Sequence, residues 1–181
     1  MSTSSNKARY SAPSIAMHWA MVLVFIAAYV LVNVADGFEK GSVQRQMARD
    51  WHATAGLLIF ALVWLRILLR LLGTTPPIQP PPSALMEKLA KLGHLALYAL
   101  MVVLPLLGWA MLSARGKPIP FFGLELPALM APDKSLGHTI KEIHEFGGNV
   151  GYFLIGGHAL AALFHHYVVK DNTLRRMGFT R

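Results

Sequence analysis

The stretch HEFGGNVGYFLIGGH, residues 144–158, decides how this chain folds. It opens and closes on a histidine, and its interior is apolar or glycine apart from Glu145 and Asn149. Fourteen residues separate His144 from His158, almost four turns of α-helix. At ~1.5 Å rise per residue both rings leave nearly the same face, about 21 Å apart along the axis. Against a hydrocarbon layer about 30 Å thick, that spacing puts one ring near each side of a bilayer. The run around it, Phe146 to Val169, is one of four long enough to cross, and the others are Ser14 to Ala35, Trp51 to Leu72 and Leu92 to Leu112. The first, third and fourth hold no Asp, Glu, Lys or Arg. The second holds only Arg66 and Arg70, near its end, where long basic side chains are expected to snorkel to the headgroups. With 54% hydrophobic residues in 181, the chain reads as an all-α transmembrane four-helix bundle. It is taken as a single domain over 1–181, with helices over about 14–35, 51–72, 92–112 and 140–169. The first run follows Lys7 and Arg9 as a secretory signal would, but it is too long for a signal core and lacks a small-residue cleavage site, so it is read as a retained helix.

Two further histidines fall at the matching depths. His18 lies one turn inside the start of the first run and His52 at the start of the second. Successive spans run in opposite directions, so His18 shares a level with His158, and His52 with His144. An imidazole in hydrocarbon must satisfy both nitrogens, and ligating a metal through one while donating from the other does so. A lone intramembrane histidine is more often a structural hydrogen-bonding group. Two antiparallel pairs at two depths instead match two bis-histidine haem irons stacked across the membrane. Zinc would favour clustered ligands with an acid or thiolate, which these depths do not offer. A porphyrin also needs room, and Gly56, Gly147, Gly148, Gly151, Gly156 and Gly157 lie beside the proposed ligands. Close helix packing is the plainer use of such glycines. His165, two turns past His158, competes as a ligand, but it would push one haem to the membrane edge, so His158 is preferred. His94, His165 and His166 are read as interfacial or propionate-contacting groups, with a quinone or proton site as the sharper alternative, and His138 as an exposed loop residue.

The net charge of +8 does not indicate nucleic acid, because its distribution follows the spans. Lys7, Arg9, Arg66, Arg70, Lys88, Lys91, Lys170, Arg175, Arg176 and Arg181 fall on the side of the termini against only Glu87 and Asp171. The opposite side is balanced. The positive-inside rule therefore makes both termini cytoplasmic, with anionic lipid contact as a secondary use of the charge. The chain has no cysteine, which excludes disulfides, iron–sulfur clusters and covalently attached c-type haem. TTPPIQPPPS, residues 74–83, is a stiff connector between the second and third helices. Pro105 with Gly108 is expected to bend the third. The proline-broken apolar segment KPIPFFGLELPALMAP is expected on the membrane surface, and Thr139 with Glu142 has capping-box spacing for the start of the fourth helix.

SIAMHWAMVLVFIAAY, RDWHATAG followed by LRILLRL and TPPIQP, KLGHLALY, the His144–Glu145 pair, GYFLIGGHALAALFHHY and the tail KDNTLRRM fall in the order found in the bacterial cytochrome b561 family, which this chain resembles over nearly its whole length. The resemblance implies a multi-pass protein of the bacterial inner membrane with two haem b groups. His18 and His158 would hold the cytoplasmic-side haem, and His52 and His144 the periplasmic-side one. It further implies superoxide as electron donor at the periplasmic haem and ubiquinone as acceptor.

Bis-histidine iron has both axial positions filled, which suits one-electron transfer rather than dioxygen binding. A small anionic donor needs only positive potential at the haem edge. Lys141, one turn before His144, is the candidate catalytic residue, with Arg45, Arg49, Lys117 and Lys134 as contributors and solvated loop charges as the plainer reading. The alternative from another class is a haem b subunit that passes electrons between a partner dehydrogenase or hydrogenase and the quinone pool. A proton-coupled transporter using the histidines is a third, and it would lack haem absorbance. Bare helix faces leave room for a homodimer.

Overall fold

The computed structural model describes residues 9–178, so Lys7 and Arg181 of the charge tally lie outside the described residues. Four long helices account for most of the chain: α1 (Ala12–Gly37), α2 (Val43–Leu72), α3 (Ala84–Ala114) and α4 (Lys134–Phe164). All four are long and apolar enough to cross a membrane. A two-stranded antiparallel hairpin, β1 (Pro120–Phe121) and β2 (Leu124–Glu125), interrupts the α3–α4 connection. After α4 the chain continues as one wider π-helical turn, His165–Val169, and a short 3-10 turn, Arg175–Met177.

Each long helix starts on a small polar residue whose side chain takes up an otherwise unpaired backbone N–H in the first turn. Ser11 accepts from Ser14, Ser42 from Arg45, Ser83 from Met86 and Asp133 from Leu136. The last of these corrects the capping box expected at Thr139. That hydroxyl instead bonds the Ser135 carbonyl at 3.3 Å inside a helix already under way, because Asp133 supplies a carboxylate cap two turns earlier. His138 is therefore an exposed helical residue, 3.6 Å from Glu142 one turn on, and does not lie in a loop.

Along the bundle α1 packs on α2, α2 on α3 and α3 on α4, while α4 makes no comparable backbone approach to α1 or α2. The buried centre is small: Met21, Ala28, Ala55, Ile59, Val63 and Met101, flanked by Val24, Phe25, Leu97 and Tyr98. Large apolar side chains such as Leu23, Ile26, Leu68, Val103, Phe153 and Leu160 face outward. Apolar surface on every helix, with a thin core, is the pattern of a bundle whose solvent is lipid.

The two ends differ. At one, the segment after α4 is knotted to the chain start and to the proline connector. Tyr10 N–H donates to the Arg176 carbonyl at 3.2 Å, and Asn172 exchanges bonds with Gln79, donating at 3.1 Å and accepting at 2.9 Å. The guanidinium of buried Arg176 donates to the Pro76 carbonyl. His165 Nδ1 meets the Asp171 carboxylate at 2.5 Å. Burial alone would raise the Asp171 carboxyl, but hydrogen bonds from His165 and Thr173 outweigh it and hold the group below its ordinary value. At the other end Asp36 pairs with Arg45 at 2.8 Å and Arg49 at 3.2 Å, and Thr54 donates to the Pro120 carbonyl at 3.1 Å, which lays the hairpin against α2.

Asp171→Asn should loosen the 170–178 segment by about 1–3 kcal/mol, the usual worth of hydrogen bonds to a charged group. The measurement is amide exchange corrected for intrinsic rate. A carboxyl with a lowered folded pKa contributes stability above its unfolded pKa and loses it as pH falls through the folded one. The wild type should thus loosen only on the acid side. Unchanged exchange in the variant would mean that the Asn172 and Arg176 bonds hold the segment alone.

Candidate functional site

The four histidines singled out by depth come together in two pairs. His18 on α1 faces His158 on α4 with ring centres 6.3 Å apart and planes at 73°. His52 on α2 faces His144 on α4 at 6.2 Å and 90°. Both pairs bridge to α4 from the helices against which it does not pack closely, so each spans a gap between helices.

Carbonyls of neighbouring helices orient the second pair. His52 Nδ1 lies 2.8 Å from the Ala28 carbonyl on α1, and His144 Nδ1 lies 3.0 Å from the Leu104 carbonyl on α3. A carbonyl only accepts, so in each ring Nδ1 carries the proton and Nε2 keeps a free lone pair, the form that ligates a metal. Gly108 makes room for this ring, because a Cβ there would lie 3.3 Å from His144 Cε1. The sequence offered Gly108 only as a bend.

The glycines divide into two uses. A Cβ on Gly147 would collide with Leu104, and one on Gly151 with the Tyr29 hydroxyl, so these two serve close packing. Tyr29 donates to the Gly148 carbonyl at 2.9 Å and Asn33 to the Tyr152 hydroxyl at 2.7 Å, ties that fasten α1 to α4 and carried no signal in the sequence. A Cβ on Gly56, Gly148, Gly156 or Gly157 would meet nothing within 4 Å. Gly56 and Gly148 each lie one turn beyond a paired histidine, so the faces carrying the rings open onto space.

At the level of His18 and His158 the helices form a partly open cavity that His94 and Arg66 also line. His94 stands 5.4 Å from the His158 ring and points its Nδ1 to the Ala90 carbonyl at 2.6 Å. Arg66 corrects the expectation that it reaches out to headgroups. It lies fourteen residues after His52, the same interval as His144 to His158, and the helix therefore turns it inward at the other level. That spacing was available in the sequence. His165, the rival ligand, turns its Nδ1 to Asp171 and does not line the cavity shared by His18 and His158. Lys141, on the turn before His144, is paired with Glu145 at 2.6 Å.

The model of the prokaryotic cytochrome b561 family matches residues 9–179. The chain belongs to that family. It is 40% identical to cytochrome b561 homolog 1 of Escherichia coli strain K12 over 169 residues, covering 93% of this chain and 96% of the relative. It is 42% identical to the probable superoxide oxidase CybB of Yersinia pestis over 169 residues, covering 93% and 95%. Cytochrome b561 homolog 2 of Escherichia coli strain K12 is more distant, at 29% over 184 residues, with coverage of 98% and 95%. The chain is accordingly a multi-pass electron-transfer protein of the bacterial inner membrane, and its family implies haem b.

The residues present fit that group. Metal–nitrogen bonds of about 2.0 Å on either side of an iron, with about 1.1 Å from each nitrogen to its ring centre, put two axial imidazole centres about 6.2 Å apart. Both depth-matched pairs have this separation, whereas His94 and His158 are too close. Gly108→Val should displace the His144 ring at an overpacking cost of about 1–3 kcal/mol and lower the haem-to-protein ratio in visible spectra. Gly93→Ala, where a Cβ meets nothing within 4 Å, should leave the ratio unchanged. Equal ratios in both variants would remove Gly108 from the support of the site.

Proposed function

We propose that this protein oxidises superoxide on the periplasmic face and reduces ubiquinone from the membrane, with the hairpin end periplasmic and both termini cytoplasmic. Two superoxide ions each give up one electron and leave as dioxygen, and one quinone takes both electrons and two protons to become the quinol. The observation that carries this reading is the pair of histidine couples at two depths, each with the separation of axial ligands. His18 and His158 would hold one haem b and His52 and His144 a second. Bis-histidine haem supplies one-electron transfer without an open iron position. The orientation rests on charge: Arg9, Arg66, Arg70, Lys88, Lys91, Lys170, Arg175 and Arg176 gather at the termini end, against Glu87 and Asp171. Superoxide as the donor is supported by the likeness to the probable superoxide oxidase of Yersinia pestis.

On this reading the chain's own groups act by position. Lys141 lies on the turn before His144, and its ammonium is held by Glu145 at 2.6 Å. Glu145 also offsets much of the charge that draws in a small anion. Lys117 and Lys134 add positive potential on the same face. Attraction of this kind raises association rates and weakens as salt shortens the screening length.

Purified protein should reduce a soluble quinone analogue when supplied with superoxide. Reduction only after addition of a partner dehydrogenase would overturn the proposal in favour of an electron-transfer subunit. Lys141→Gln should slow the superoxide reaction several-fold at low ionic strength, and the difference should vanish at high salt. A loss independent of salt would deny it a steering role. His158→Ala should remove one haem per chain and His165→Ala none, as counted by the pyridine haemochrome. The reverse would overturn the ligand assignment.

A further inference from the structure

Arg66 is a cation without a protein partner in a place where one is needed. It is half-buried on α2 and lines the cavity with His18, His94 and His158. Among the described residues it makes no ion pair and no side-chain hydrogen bond. The two carboxylates at that end are already engaged, Glu87 by Lys91 at 2.7 Å and Asp171 by His165 at 2.5 Å. An arginine held inward in a membrane helix is expensive unless it meets an anion or water, and such groups mark ligand sites. Arg70, one turn further along α2, does not line the cavity, and two other basic groups at that end are committed. Arg176 donates to the Pro76 carbonyl, and Arg9 donates to the Gly178 carbonyl at 3.5 Å. His94, with its Nδ1 proton donated to Ala90, presents an accepting Nε2 and cannot bind a carboxylate in that form.

We propose that Arg66 binds a propionate carboxylate of the haem held by His18 and His158, and thereby fixes which edge of that macrocycle faces the termini end. This rests on the bis-histidine assignment above. The guanidinium fork matches a carboxylate through two parallel hydrogen bonds, a geometry lysine cannot supply. The anion it needs has to enter the cavity that the two histidines line. The group those histidines clasp brings carboxylates there on its own periphery, so the anion arrives with the ligand that the cavity itself holds. Placement agrees as well. The fourteen residues from His52 to Arg66 repeat the interval from His144 to His158, so one face of α2 and one face of α4 address the same two levels.

The test uses holoprotein in phosphate-free maltoside micelles, comparing wild type, Arg66→Gln and Arg66→Lys. Three properties are read: the propionate bending band in resonance Raman, haem loss to excess apomyoglobin, and the midpoint potentials. Arg66→Gln should shift the propionate band and release the haem at the His18 level about ten-fold faster, as expected for one charge-assisted contact. It should lower that haem's potential, because a neutralising cation favours the reduced form, and leave the second haem unchanged. Arg66→Lys, which keeps the charge and so guards against a folding defect, should restore the potential in part but leave the band shifted. An unmoved band with unchanged haem loss would overturn the inference. So would an effect seen only after phospholipid is added back, which would make the anion a lipid phosphate. Wild-type protein lacking a haem at the His18 level would sink the bis-histidine reading itself. Two haems in the wild type with no response to Arg66 would sink this inference alone.

Discussion

An imidazole surrounded by hydrocarbon has two nitrogens to satisfy, and the bundle is arranged around that requirement. At the hairpin end the answer is explicit. His52 gives its Nδ1 proton to the Ala28 carbonyl on α1, and His144 gives its own to the Leu104 carbonyl on α3. Each ring is thereby fastened to the helix packed beside its own, and the two free lone pairs are left on facing helices. The bonds that satisfy the polar groups are the same ones that prepare them to ligate. Gly108 is part of this arrangement, since a Cβ there would crowd the His144 ring at 3.3 Å.

The spans, their number and the depths of the four paired histidines were legible in the sequence, because helical rise and a fixed bilayer thickness convert residue counts into distances. The start of α4 was not. Thr139 and Glu142 have the spacing of a cap, but Asp133 stands two turns earlier and is the stronger acceptor for a first-turn N–H. The role of Arg66 was hidden for another reason. A charge near the end of an apolar run reads as a headgroup contact, and only its register with His52 shows that it turns inward. Tyr29 and Asn33, which tie α1 to α4, left no trace in spacing because each bonds a partner more than a hundred residues away.

The looseness of the bundle follows from the same constraint. The space beside Gly147 is filled by Leu104 of α3, and that beside Gly151 by Tyr29 of α1. Where histidines face each other, Gly56 and Gly148 are left open, and the helices are joined by side chains instead of backbone approach. A chain that packed all its helices equally would have no room for a planar group between them. The knot at the termini end, with Asp171 and Arg176 buried against His165 and the proline connector, closes the bundle without drawing on that space.

The central claim is that each histidine pair clasps one haem. A pyridine haemochrome assay on purified protein, set against amino-acid quantification, counts them. Two haems b per chain is the expected value. A value of one, or colourless folded protein from haem-replete cells, would contradict the account.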